Sequence, residues 1–162
     1  MKARIVSFVS LVILMACGSP NESALAEQAS EPMATVTKFV IKASNNQYVS
    51  IDPTKYTLTA NQPKAELAEV FEVVNLDKGK IALKINTGKY VCADQSKNMY
   101  VVADREYAGE WETFEMIKMD QSKVNFKAFN GKFFSADHGA GGIVMANRDV
   151  VSDWETFIVE PR

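Results

Sequence analysis

One short stretch occurs three times in this chain: Asn46 to Asp52 (NQYVSID), Gly88 to Asp94 (GKYVCAD) and Gly131 to Asp137 (GKFFSAD). The copies keep step. Tyr48 and Tyr90 are 42 residues apart, Tyr90 and Phe133 are 43 apart, and Phe71, Phe114 and Phe157 follow one another at 43. A fixed internal period of this size signals a fold built by stacking like units, and it constrains the architecture more than any single motif.

Each unit reads as four short strands. The first alternates apolar and polar residues: Phe39, Ile41 and Ala43; Ile81, Leu83 and Ile85; Val124, Phe126 and Ala128, with Lys42, Lys84 and Lys127 on the other face. That period of two predicts a strand with one buried face. Turns at 44–46, 86–88 and 130–131 supply Asn or Gly for the positive φ of a two-residue hairpin. The recurring stretch is the second strand. The third carries a branched apolar residue and then Ala (Leu58 and Ala60, Val101 and Ala103, Val144 and Ala146), leaving room for the Phe that opens the fourth. Only 64–70 looks tolerant of helix.

Twelve short strands in three four-strand units, about 37–76, 79–119 and 122–160, predict an all-β protein with pseudo-threefold symmetry, a β-trefoil. In that fold a six-stranded barrel is capped by three hairpins, and closure removes the exposed sheet edges that invite aggregation. Three equivalent Phe could meet around its axis.

The first residues belong to something else. Lys2 and Arg4 precede an apolar run from Ile5 to Met15, 11 residues long, too short to span a bilayer as a helix and suited to an export signal. Residues 1–16 are read as that signal. Leu14 to Gly18 (LMACG) resembles the lipobox of bacterial lipoproteins, which implies lipid on Cys17 as the first mature residue; Ala24 to Ala26 (ALA) is a competing cleavage site. With Cys17 acylated, Cys92 is the only thiol left, and otherwise a Cys17 to Cys92 bridge or a free thiol is open. Cys92 stands where the other units have Ser50 and Ser135, so a small buried strand residue is expected there. Residues 17–35, rich in Ser, Ala, Glu and Pro, read as a tether between the lipid and a domain over 36–162. Gly18 after the cysteine favours the outer membrane for a Gram-negative host.

GKYVCAD at 88–94, Ala103 to Arg105 (ADR) and Gly109 to Phe114 (GEWETF), repeated as GKFFSAD at 131–137, Ala146 to Arg148 (ANR) and Asp153 to Phe157 (DWETF), resemble the repeat of the fascin-like β-trefoil, or actin-crosslinking-like, superfamily. The likeness covers roughly 37–160. Unit one departs from it with Ala68 for Trp, Gln62 for Arg and Asn46 for Gly. The resemblance implies either actin bundling by several trefoils acting together or, in bacteria, carbohydrate-binding attachments of secreted enzymes. Here a single trefoil is read.

Charge discriminates between those partners. Eighteen basic residues fall to 16 without Lys2 and Arg4, against 20 acidic ones, a mature net charge near −4. Such a surface lacks the basic face that nucleic acid requires, and it argues against actin. Metalloprotease, redox, esterase and nucleotide-binding motifs are missing, and the only His, His138, lies in a glycine-rich hairpin tip. No enzyme, cofactor or metal is expected.

Two residue sets could carry binding. Trp111 and Trp154, in the repeated WETF, either stack on sugar rings or form structural corners with Arg105 and Arg148 packed against them. Asp52, Asp94 and Asp137 end the second strands where ricin-type trefoils place a sugar-binding Asp, or they cap the turns that follow. Tyr100 and Tyr107, with Pro53 and Tyr56, complete the candidate surface. The expected product is an exported, monomeric, membrane-tethered module for a glycan or, alternatively, for an envelope protein.

Overall fold

The computed structural model describes residues 37–66 and 69–162; the export signal, Cys17, the tether and Ala68 lie outside them. Twelve strands follow in order. Unit one has β1 (Thr37–Lys42), β2 (Tyr48–Ile51), β3 (Leu58–Gln62) and β4 (Val70–Asn75); unit two has β5 (Ile81–Ile85), β6 (Tyr90–Asp94), β7 (Tyr100–Arg105) and β8 (Phe114–Lys118); unit three has β9 (Lys123–Ala128), β10 (Phe133–Asp137), β11 (Ile143–Arg148) and β12 (Phe157–Pro161). Val70, at the end of the helix-tolerant stretch, already belongs to β4.

First and fourth strands close a ring. β1 pairs with β4, β4 with β5, β5 with β8, β8 with β9, β9 with β12 and β12 with β1, every pair antiparallel. This is the barrel of a β-trefoil. The hairpins β2–β3, β6–β7 and β10–β11 cap it and are stitched to one another around the pseudo-threefold axis. In each stitch the amide of the third-strand Ala donates to the next hairpin: Ala60 to the Gly142 carbonyl (2.7 Å), Ala103 to Tyr56 (2.8 Å) and Ala146 to Met99 (2.9 Å). All three acceptor residues have positive φ, 79° at Gly142, 57° at Tyr56 and 63° at Met99. At Gly142 the approach is closest, and a Cβ there would lie 2.4 Å from the Ala60 carbonyl oxygen, so glycine is required.

The inward residues of the alternating strands form one core with the three Phe buried. Two of the three are linked through rings of unit three. Phe114 packs edge-on against Phe134 at 5.0 Å, Phe134 against Phe126 at 5.7 Å, and Phe126 against Phe157 at 6.0 Å. Unit three supplies both bridging rings, where unit one has Val49 and Ile41 and unit two Val91 and Leu83. The outer face of the first strands is not simply polar: Val40, Ala82 and Asn125 are buried too, and Asn125 Nδ2 donates to the Glu155 carbonyl at 2.8 Å.

The first turn of each unit is a three-residue loop rather than the two-residue loop that Asn and Gly suggest. The amides of Ala43, Ile85 and Ala128 bond the carbonyls of Gln47, Lys89 and Lys132, and Asn46, Gly88 and Gly131 take the left-handed position, with φ of 63°, 88° and 77°. Beside these turns Lys42, Lys84 and Lys127 lie 5.4–5.6 Å from the ring centres of Tyr48, Tyr90 and Phe133, a cation–π pair in every unit.

Candidate functional site

The three aspartates that end the second strands all fold their carboxylates back onto the turn that follows. Asp52 Oδ1 accepts from the amides of Thr54 (2.8 Å) and Lys55 (2.9 Å), Asp94 Oδ1 from Ser96 (2.9 Å), and Asp137 Oδ1 from Gly139 (2.9 Å) and Ala140 (3.2 Å). An Asp here satisfies donors that a tight turn leaves without partners. The amides of Lys55 and Thr54 hold the Asp52 carboxyl below the usual aspartate range.

Asp94 is enclosed further. It is 1% exposed, takes the Ser96 hydroxyl at 2.6 Å, and meets Arg105 Nη2 at 2.9 Å and Lys97 Nζ at 3.5 Å. Burial alone would raise its pKa, but the Ser96 hydroxyl and amide and then the cations outweigh it and hold the group low. Arg105 continues to Asp104 (3.5 Å) and Glu112 (3.6 Å), and Lys97 reaches Asp104 at 3.1 Å. Cys92 lies buried beside this network, and desolvation pushes its thiol up to about 12, so it stays protonated and inert.

A second set of carboxylates escaped the sequence reading. Glu69, Glu112 and Glu155 recur at 43 and are buried at 7%, 7% and 3% exposure. Each reaches back three residues, its Oε2 accepting the amide of Glu66 (2.8 Å), Gly109 (2.8 Å) or Ser152 (2.9 Å). The same period that marks the Phe residues marks these Glu; the missing Trp of unit one obscured it.

The tryptophans part company. Trp111 is half-buried and stacks on Phe129 with ring centres 6.0 Å apart at 19°, while its carbonyl accepts from Ala93 (3.0 Å). Trp154 is 38% exposed. The Arg148 guanidinium lies 5.8 Å from its ring centre and the His138 ring 5.3 Å away, and His138 Nε2 is 3.4 Å from Ser44 Oγ of unit one. Arg148 Nε is buried without a hydrogen bond, 3.7 Å from Glu155 Oε1. Together Trp154, Arg148, Asp153, Ser152 and the 73%-exposed Val150 line an open depression of about 500 Å³. It combines an accessible aromatic ring, a cation and an exposed carboxylate, a surface suited to holding a small polar ligand by stacking and hydrogen bonds.

The remaining nominated residues lie elsewhere. Tyr100 is half-buried at the start of β7, and Tyr107 is 84% exposed on the loop after it. Unit three therefore brings Trp154 and the Asp137 turn together through His138, whereas unit two joins Asp94 to Trp111 only through buried polar and backbone contacts. Among the described residues no group of three or more His, Cys, Asp or Glu could hold a metal.

Comparison with known proteins returns the fold many times over. A designed threefold-symmetric protein, ThreeFoil, superposes with a TM-score of 0.67 at 11% identity, over 75% of this chain and 96% of that one. SeviL bound to asialo-GM1 saccharide follows at 0.62 and 13%, over 78% and 98%. A GlcNAcα1-4Gal-releasing endo-β-galactosidase from Clostridium perfringens gives 0.67 and 12%; 78% of this chain corresponds to 32% of the enzyme. At these identities the likeness shows the trefoil fold. No curated protein matches the chain. One domain-family model does match, over residues 76–160, just over half of the chain and the span of the two regular units. The chain belongs to the family described as Domain of unknown function (DUF7910).

Proposed function

We propose that this protein is an exported bacterial lipoprotein, anchored through lipid on Cys17 and standing off the membrane on residues 17–35, whose fascin-like trefoil binds carbohydrate without catalysis as a monomer. The outer membrane is the expected address in a Gram-negative host. The observation that carries the binding reading is Trp154: a 38%-exposed indole, flanked by Arg148 and the exposed carboxylate of Asp153, in an open depression. Trefoil neighbours that include a saccharide-bound protein support the ligand class. In this reading Asp52, Asp94, Asp137, Tyr100 and Trp111 shape the scaffold around the ligand surface.

The test is a glycan array probed with the chain from Cys17 onward carrying Cys17→Ser, followed by titration of the best hit. Trp154→Ala is expected to lower affinity at least tenfold, about 1.4 kcal/mol, with an unchanged melting temperature. Binding that survives Trp154→Ala would move the site, and an array with no hit would reject the glycan. The anchor has its own test, since labelled fatty acid should enter the natural chain and not Cys17→Ser.

A second reading, docking of an envelope protein, is favoured by Tyr107 and Val150, which stand 84% and 73% exposed at the same place in units two and three. A partner captured by the natural chain and lost with Tyr107→Ser would select it.

A further inference from the structure

Units two and three carry the same arginine, at the ends of β7 and β11, and both place its Nε beside a buried glutamate: Arg105 by Glu112 at 3.6 Å and Arg148 by Glu155 at 3.7 Å. That pairing is shared scaffold. Beyond it the two arginines differ. Arg105 Nη2 donates to Asp94 Oδ2 at 2.9 Å, and Asp104 lies 3.5 Å from its Nε. In unit three Asn147 stands in place of Asp104 and turns its amide to the Met145 sulfur (3.7 Å), while Asp137 Oδ1 is spent on the amides of Gly139 and Ala140. Among the described residues the Arg148 side chain has Glu155 and the Trp154 ring as partners, and no carboxylate at its terminal nitrogens.

Arg148 is 42% exposed and lines the Trp154 depression. Glu155 Oε2 there is already taken by the Ser152 amide (2.9 Å) and hydroxyl (2.5 Å), and nearby Asp149 pairs with Lys132. The charged groups that remain for a ligand are the outer edge of the Arg148 guanidinium and the exposed carboxylate of Asp153. A planar guanidinium matches a carboxylate with two parallel hydrogen bonds. A ligand carboxylate would thus supply in unit three the anion that Asp94 supplies in unit two. Asp153 accepts from hydroxyl groups and repels a doubly charged group more than a singly charged one, which favours a carboxylate over a phosphate.

We infer that the Trp154 depression takes a sugar residue bearing a carboxylate, a hexuronic or sialic acid, with that carboxylate on the terminal nitrogens of Arg148, hydroxyls donating to Asp153 and C–H groups against Trp154 and Val150. This names the ligand class within the carbohydrate reading above and rests on it. A neutral sugar makes the same hydroxyl and C–H contacts without the ion pair, so the acid should bind about tenfold more tightly. A Kd on the order of 1 mM is expected for a single acidic sugar in so open a depression.

NMR of the Cys17→Ser chain, read at the indole N–H signals of Trp111 and Trp154, tests it. About 150 mM salt screens the chain's net negative charge beyond roughly 8 Å. The probes are methyl glucuronide, methyl galacturonide and N-acetylneuraminic acid, set beside methyl glucoside and methyl galactoside. At least one acid should move the Trp154 signal and bind about tenfold more tightly than the neutral sugars, and which acid does so identifies the source of the carboxylate. Arg148→Gln should abolish that preference. Because it also takes a cation from the buried Glu155, a second variant checks it: Ala140→Lys with Asn147→Asp gives Arg148 the neighbours that Arg105 has, and should erase the preference too. Equal binding of acids and neutral sugars overturns the inference and leaves the carbohydrate reading standing, as does a preference that survives both variants. A Trp154 signal unmoved by every sugar overturns both. Acetate moving it as far as the acids at equal concentration reduces the site to an anion contact and overturns the sugar.

Discussion

Units two and three share Asp, Arg and WETF at matching positions, yet the same residues make a closed corner in one and an open surface in the other. In unit two, Lys97 and Asp104 surround Arg105, which bonds the 1%-exposed Asp94. In unit three those neighbours are Ala140 and Asn147, so Asp137 serves only its turn, and Arg148 lies over Trp154 instead. Two differences beside a repeated motif thus accompany the shift of its arginine from the second-strand Asp to the indole. The motif alone is therefore a poor guide to a binding site.

The largest effect should ignore this difference. Phe114→Ala and Phe157→Ala remove rings of the same core, and each should cost about 3–5 kcal/mol in urea unfolding; a gap much wider than that range would mean the units are not equivalent scaffolds. Next, Asp94→Ala should cost about 2–3 kcal/mol, because it strands Arg105 and the Ser96 donors, while Asp137→Ala loses only a turn cap, about 1 kcal/mol. Equal losses would erase the comparison.

Acid sharpens it further. The Asp94 carboxyl titrates below its ordinary value of 3.8, so its contribution is complete above that pH and fades as pH falls through the lower folded pKa. Melting temperature should therefore fall more steeply below about pH 4 in the natural chain than in Asp94→Asn, with Asp52 and Asp120, also held low by turn amides, supplying the residual slope. The smallest effect comes from rebuilding unit three in the image of unit two. Ala140→Lys with Asn147→Asp should draw Arg148 off the indole, shifting Trp154 emission while changing stability by no more than about 1 kcal/mol.

The barrel was legible because its signals are periodic and redundant: Phe71, Phe114 and Phe157, the Ala of each third strand and the alternation of each first strand all repeat at nearly one interval. The ring chain from Phe114 to Phe157 was not, since Phe126 and Phe134, which form it, are rings of unit three alone. The Asp positions were nominated with two roles, and only coordinates show their carboxylates spent on turn amides. Trp111 and Trp154 are the same letter in the same motif; Phe129 against Ser44 at the neighbouring first turn helps set how their surroundings differ, and that pairing spans sequence distances no local pattern encodes.

Closure of the ring through β1 and β12 also gives the molecule a direction. The Arg162 amide donates to the Lys38 carbonyl at 2.9 Å, so both ends of the described domain leave from one rim of the barrel. Every first strand runs from that rim toward the hairpin cap and every fourth strand runs back. The Trp154 depression sits where strands meet the cap. Whatever holds the protein by its ends, the proposed Trp154 site lies at the opposite pole.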